Sequence, residues 1–225
     1  MQAIVLLGAP GAGKGTAADG LQEEFGFLHV STGNMLREAV AGGTSVGHEA
    51  EPFMQAGELV PDRIIGHVVE EVLDSHKGGA RYMFDGYPRT LTQADMLDAC
   101  LKSRASELNH VFYLSAPRGI LVGRLAGRRI CASCGANYHL VNVQPKVGGV
   151  CDRCSGELYQ RPDDSEETVN TRLNIYEEMT RELADHYEKR SLLQPIDSSR
   201  RPEDAIDDIT RILRSSEGGG QAVSP

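Results

Sequence analysis

An apolar run, Ala3 to Leu7, leads into Gly8-Ala9-Pro10-Gly11-Ala12-Gly13-Lys14-Gly15-Thr16, and a helix-forming segment, Thr16 to Phe25, comes next. Strand, glycine-rich loop and helix start is the context in which G-x-x-x-x-G-K binds phosphate. Glycines let backbone N–H groups turn inward around phosphate oxygens. The helix N-terminus adds partial positive charge, and Lys14 adds a full one. One position departs from the common pattern: Gly15 stands where Ser or Thr is usual, and Thr16 comes one later. A ligand-free glycine turn is the weaker reading, because the flanking elements also match.

Beyond this loop, strands and helices alternate. Phe27–Val30 reads as a second strand, and Met35–Ala41 as a helix capped from Ser31-Thr32-Gly33-Asn34. Val46–Met54 reads as helix in spite of Pro52, and Gly57 closes it. A longer helix starts at Pro61-Asp62, with Ile64, Ile65, Val68, Val69 and Val72 at helical spacing. Tyr82–Phe84 is strand ending at Asp85, and Thr90–Leu101 is helix with Leu91, Ala94, Leu97 and Leu101 as its apolar stripe. Val111–Leu114 and Arg118–Ala126 give a further strand and helix. Val169, Leu173, Tyr176, Leu183 and Tyr187 mark one long amphipathic helix, and a strand at Leu192–Ile196 and a helix at Pro202–Leu213 close the fold. Alternating strands and helices predict a doubly wound α/β fold of the P-loop NTPase type, with a five-stranded parallel sheet. Ligands then bind at the carboxyl ends of strands, where the glycine loop and Asp85 both lie.

Between Gly127 and Asp164 cysteines, glycines and β-type residues replace helix formers. Cys131-x-x-Cys134 and Cys151-x-x-Cys154 have the C-x₂-C…C-x₂-C pattern of a four-thiolate zinc site, with two redox dithiols a distant second. Four thiolates leave no open position, so the metal is structural, and His139 is unnecessary as a ligand. Cys100 stands alone, and Ser215–Pro225 is Gly/Ser-rich and reads as a disordered tail.

The formal net charge is −9, which opposes a nucleic-acid-coating protein, so an anionic ligand needs local arginines. Arg37, Arg89, Arg124, Arg128, Arg161 and Arg172 are candidates; Arg129 fits a solvated face better. Asp85-Gly86-Tyr87-Pro88-Arg89 places a carboxylate suited to Mg²⁺ and a phosphate-clamping guanidinium after one strand. No segment has the apolar length to span a bilayer, and paired C-x-x-C without a secretory signal points to the cytoplasm.

Together these pieces resemble the adenylate kinases, in the form with a long zinc-containing lid. Gly8–Thr16 is similar to the family's GxPGxGKGT loop, and His29–Arg37 to its H-I-S-T-G-D-M-L-R. Gly57–Asp62, Asp85–Thr90, Gly127-Arg128-Arg129, Tyr138-His139, Gln160–Asp164 and Glu167-Thr168-Val169 match further signatures, covering the chain to about Leu213. The resemblance implies the reaction Mg·ATP + AMP ⇌ 2 ADP, in adenine nucleotide homeostasis, by a monomer with no nucleic-acid or membrane partner. It implies a core of residues 1–30, 61–126 and 165–214, an AMP-binding segment 31–60 and a lid 127–164. Gly11, Ala12, Gly13, Lys14, Gly15 and Thr16 would hold the donor phosphates, with Asp85 on the Mg²⁺ side. Thr32, Arg37, Glu58, Leu59, Val60, Gly86, Tyr87, Pro88, Arg89 and Gln93 would hold AMP. Arg128, Asn137 and Tyr138 would cover ATP from the lid; Arg124, Arg161 and Arg172 would surround the transferring phosphoryl group; and the segment at Arg201 would approach the donor adenine. The sequence departs from the family at Asn34 (usually Asp), Tyr87 (Phe), Arg63 (an acid) and Arg181-Glu182 (a proline). A kinase of another monophosphate (GMP, UMP or CMP) is the first alternative, and a zinc-ribbon nucleic-acid module the second.

Overall fold

A computed structural model describes residues 2–76 and 80–218. Five parallel strands form the main sheet: β1 (Gln2–Gly8), β2 (Leu28–Ser31), β3 (Tyr82–Asp85), β4 (Glu107–Ser115) and, last in the chain, Leu193–Asp197. The order is β2-β3-β1-β4 and then that last strand, so β1 lies at the centre. After β1 the chain winds to one side, and after β3 it crosses to the other. The loop after β1 therefore opens at the point where strand order reverses, which is where such sheets bind ligands.

Both faces of the sheet are covered, and the side-chain period of two distributes its residues between them. Ala3, Val5 and Leu7 of β1 join the core on one face, with Tyr82 and Phe84 of β3. Ile4, Leu6 and Met83 join the core on the other. On the first face pack α4 (Asp62–Ser75) and α5 (Leu91–Ser103). On the second pack α1 (Lys14–Phe25), α6 (Arg118–Ala126) and the C-terminal helix α9 (Pro202–Gly218). Two further helices, α2 (Thr32–Ala41) and α3 (Ser45–Ala56), stand beside the cleft. Pro52 lies inside α3 on its exposed side, and the Thr44 hydroxyl caps α3 at the Gly47 N–H.

The helix expected across Val169–Tyr187 is not one helix. α7 (Glu166–Ile175) and α8 (Arg181–Lys189) are separated by a π-turn at Tyr176–Thr180. The reason is the change of core: Val169 and Leu173 pack on the α1/α6 side, while Leu183 and Tyr187 pack on the α4/α5 side. A π-turn shifts the helical phase and lets one stretch serve both faces. Leu91 also departs from expectation, being 40% exposed, while Gln93 is buried and replaces it on the inner stripe of α5. α9 continues through Ser215 to Gly218, past the end expected at Leu213; the remainder of the expected tail lies outside the described residues.

Residues 128–159 form a separate antiparallel sheet: β5 (Arg128–Cys131) flanked by β6 (Asn137–His139) and β7 (Leu158–Tyr159). The strand that closes the main sheet is then β8 (Leu193–Asp197). The small sheet has a core of Cys131, Ala136, Tyr138 and Cys151, with Leu158 packed against it.

The burial contrast within α5 is testable. Leu97 is fully buried, so Leu97→Ala should cost about 2–5 kcal/mol in urea unfolding. Leu91→Ala should change stability by no more than about 0.5 kcal/mol, since that side chain is already exposed.

Candidate active site

The glycine loop turns sharply between β1 and α1. A Cβ on Gly8 would lie 2.5 Å from the Leu114 carbonyl oxygen on neighbouring β4, so the backbone passes too close for any side chain. Gly13, with φ 92°, caps α1 in the left-handed region. Lys14 folds over the loop and donates to the Gly8 and Ala9 carbonyls at 2.8 and 3.1 Å. Burial lowers its pKa to about 8, with Arg89, Arg172 and Arg128 adding to the effect and Asp85 opposing it.

Asp85 ends β3 in register with Leu6 of β1 and Ser31 of β2, which brings it beside the loop. Burial pushes its carboxyl up, but His29, Lys14 and Arg89 outweigh burial and hold it below the usual carboxylate range. His29 Nε2 is 3.4 Å from Asp85 Oδ2. The segment after Asp85 makes a turn in which the Gly86 carbonyl accepts from Thr32 Oγ1 at 3.0 Å and from Arg89 Nε at 2.9 Å. Gln93 is fixed at both ends: its Oε1 accepts from the Arg89 N–H at 2.7 Å, and its Nε2 donates to Asp62 at 2.7 Å.

A cleft opens between this turn and α2. Thr32, Arg37, Glu58, Leu59, Val60, Gly86, Arg89 and Gln93 line it, joined by Asp163 and Arg172 from the far side. Tyr87 does not line it; that ring is buried in the core against Phe84. Pro88 is buried as well and does not line the cleft.

Arg128, Arg161 and Arg172 meet Arg37 around two carboxylates, Asp163 and Asp164, which residue type alone did not single out. Arg128 makes a two-pronged contact with buried Asp164, with Nε at 2.8 Å. Arg172 donates to the carbonyl and carboxylate of Asp163, both at 2.9 Å, and Arg37 lies 3.8 Å from the same carboxylate. The Asn34 side-chain oxygen accepts from Arg37 at 2.6 Å and from Arg161 at 3.4 Å, so it joins residues of α2 and the lid. Arg161 is lowered to about 9 by burial and by repulsion from Arg37 and Arg128, and its Nε is buried with no partner. Burial, then Arg172, lowers Arg89 to about 10. Lys14 and five arginines thus converge on Asp85, Asp163 and Asp164. Such an excess of half-buried positive charge suits a polyanion. The two consecutive acids just after Arg161, in Arg161-Pro-Asp-Asp, were the available signal for Asp163 and Asp164.

Other expected residues lie elsewhere. Arg124 does not join the cluster: its guanidinium donates to the Arg200 carbonyl at 3.1 Å. Arg201 is 77% exposed and bound to Asp204. Asn137 faces α1, near Gly15, and its amide opposes the burial that pushes the Asp19 carboxyl up. Tyr138, its neighbour on β6, is buried inside the lid. Arg129 donates to backbone carbonyls of the lid base, Ala126 and Arg128.

The four lid cysteines bring their sulfurs within 4.8 Å of one another. Cys131 Sγ is 3.4 Å from Cys154 Sγ, and Cys134 Sγ is 3.6 Å from Cys151 Sγ. A tetrahedron with Zn–S of about 2.3 Å has S···S edges of about 3.8 Å, so the donor set fits zinc. The two C-x-x-C turns repeat one geometry: Gly135 N–H bonds to the Cys131 carbonyl and Ser155 N–H to the Cys151 carbonyl, with both residues at positive φ. Tyr138 is the first cause that draws the Cys151 thiol down to about 6. Cys154 is pushed up despite the Gly156 backbone hydrogen bond, because Cys134 and Cys131 crowd it. Four adjacent thiols cannot all ionise without a cation between them. The purified protein should carry one zinc per chain, and stripping it with a chelator should melt the lid before the body. Metal analysis with scanning calorimetry checks both; full stability without zinc would overturn the assignment.

Comparisons with known proteins agree with this geometry. The family model described as adenylate kinase matches residues 6–192. Adenylate kinase of Carboxydothermus hydrogenoformans is 45% identical, covering 94% of this chain and 99% of the relative. Those of Desulforudis audaxviator and Methanothrix thermoacetophila are 43% and 44% identical, over 96% and 93% of this chain and 99% and 97% of theirs. The chain belongs to the adenylate kinase family.

Proposed function

We propose that this protein transfers a phosphoryl group reversibly from Mg·ATP to AMP, giving two ADP. The observation that carries this reading is the cleft itself: six basic side chains converge between a phosphate loop and a pocket lined by Thr32 and Gln93. Phosphoryl transfer asks for in-line positioning and positive charge around the equatorial oxygens, and needs little covalent help. The acceptor is already a phosphate oxygen, so no general base is required. Lys14 and the loop N–H groups would hold the donor phosphates. Arg89, Arg37 and Arg172 would hold the acceptor phosphate, with Arg161 and Arg128 closing from the lid. Asp85 would hold the Mg²⁺ that travels with ATP, and that ion would supply neutralisation of phosphate charge. The lid and the segment 31–60 would exclude water, so that the phosphoryl group reaches AMP instead of solvent.

Acceptor choice follows from hydrogen-bond polarity. The Thr32 hydroxyl proton is committed to the Gly86 carbonyl, which leaves its oxygen as an acceptor at the cleft. An acceptor there suits an exocyclic amine and opposes the keto group of guanine or uracil. Gln93 Oε1 is already bonded to Arg89, so the amide has only N–H to offer. Adenine, with an amine beside a ring nitrogen, fits both, which favours AMP over GMP and UMP; cytosine presents the same pair, and membership of the adenylate kinase family is what favours AMP over CMP. The reading includes a cytoplasmic monomer with neither nucleic acid nor membrane as partner, supported by the −9 charge, the clustered lid thiols and a cleft built from one chain.

A coupled assay over AMP, GMP, CMP and UMP tests the acceptor: AMP should be preferred by kcat/KM, and parity between AMP and CMP would refute it. Lys14→Ala should lower kcat by about 10²–10³-fold in a folded protein, as removal of one preorganised charge does. Near-wild-type turnover would remove the loop from the mechanism. The pH profile tests the same group. Lys14 carries its proton below about 8 in the free protein, so kcat/KM for ATP should fall as pH rises through about 8. Bound phosphate raises that pKa, so kcat should persist to higher pH.

A further inference from the structure

We infer that the Tyr138 hydroxyl serves the metal centre and not the nucleotide: it donates its proton to Cys151 Sγ and so sets how tightly the lid holds its ion. The inference rests on the four-cysteine cluster being a zinc site.

Strand geometry separates Tyr138 from the cleft. Successive side chains of a strand point to opposite faces. On β6, Asn137 faces the phosphate loop: its amide nitrogen lies 3.9 Å from where a Cβ of Gly15 would stand, and the side chain acts on the Asp19 carboxyl of α1. Tyr138 must therefore face the other way, and it is only 8% exposed, packed in the lid core with Cys131, Ala136 and Cys151. A ring so placed cannot reach across the strand to cover a nucleotide.

The direction of the hydroxyl proton follows from its two partners. The Asp152 N–H donates to the Tyr138 oxygen at 2.7 Å, so that contact uses an oxygen lone pair. The O–H is left to point elsewhere, and Cys151 Sγ lies 3.4 Å from the oxygen. A metal-bound thiolate has no proton to give, so the phenol is the donor. The chain Asp152 N–H to Tyr138 O–H to Cys151 Sγ runs in one direction, and each bond polarises the next.

The consequence is electrostatic. Four thiolates around a divalent ion carry a net double negative charge in a small lid. Cys151, nearly fully buried, has little water to share that charge. A hydroxyl donor aimed at its sulfur takes up part of it and fixes the sulfur's direction. Outer partners of this kind typically change metal affinity by about 10–100-fold when removed.

Tyr138→Phe deletes one oxygen and keeps the ring. Zinc dissociation constants for the full-length protein, measured by competition with a chromogenic chelator, should weaken about 10–100-fold in the variant. Cobalt substitution supplies a readout that loss of packing would not move. The sulfur-to-metal charge-transfer band should shift to lower energy in Y138F, because a thiolate without its hydrogen bond gives up electron density more easily. Cadmium-113 in the wild-type protein provides a test that does not depend on the variant folding: the Tyr138 hydroxyl proton should show scalar coupling to the metal through Cys151. Unchanged affinity and an unchanged band, or no such coupling, would overturn the inference while one zinc per wild-type chain left the metal assignment standing. A raised KM for ATP with wild-type metal binding would overturn it in favour of a nucleotide contact. Wild-type protein that binds no zinc would remove the metal reading itself, and this inference with it.

Discussion

Mutual repulsion among Lys14, Arg37, Arg89, Arg128, Arg161 and Arg172 is the constraint the rest of the molecule has to satisfy. Taking one cation partly out of water is costly, and crowding six half-buried ones together costs more unless carboxylates stand among them. Asp85, Asp163 and Asp164 are those carboxylates, and they come from two different parts of the chain. Asp85 is delivered by a strand end of the rigid sheet, whereas Asp163 and Asp164 arrive on the segment joining the lid to α7. Asp85 and Asp163 are both held below the ordinary carboxylate range. Their share of stability is therefore present above about pH 4 and is lost as pH falls through their lowered folded values. Three acids do not balance six bases, and the remaining positive potential suits the cleft to the phosphates of the proposed reaction.

That arrangement explains the division of the chain. The sheet and its two cores can be stable without the cleft, because β1, β3 and β4 bury apolar side chains on both faces. Several of the cleft residues are carried on parts with little core. The lid has five apolar or cysteine residues packed together and exposes Leu140, Val141, Val143 and Val147 on its outer turn. So small a core cannot offset the chain entropy of ordering some thirty residues. Thiolate–metal bonds supply what the missing apolar contacts do not, and Tyr138 ties that metal site to the strand that faces the phosphate loop.

Much of this was legible in residue types and spacing. Phosphate-loop glycines, the acid at a strand end and the paired C-x-x-C are chemistry written over a few consecutive positions, where local geometry follows directly from sequence. Strand and helix order was equally readable, because both faces of the sheet demand apolar residues at periods of two and three to four. Thr32, which we propose reads adenine polarity, was named by its motif, but the direction of its proton became fixed only when Gly86 came within 3.0 Å.

Tertiary structure alone decided the rest, because those features depend on which groups meet across long stretches of chain. Periodicity could not reveal that Val169–Leu173 and Leu183–Tyr187 serve opposite faces of the sheet, since each half keeps helical spacing and only the π-turn changes phase. Six arginines could be named in sequence, yet four of them share Asp163, Asp164 or Asn34, one adjoins Asp85, and Arg124 caps a distant carbonyl. Tyr138 and Asn137 are adjacent in sequence and looked alike in role. The alternation of one short strand sends the amide to the phosphate loop and the phenol to the metal site. Sequence by itself determined which chemical groups this protein would possess and the fold that carries them. Folding determined which of those groups face each other, because a charge or a hydroxyl proton acquires its partner only from elements that packing brings together.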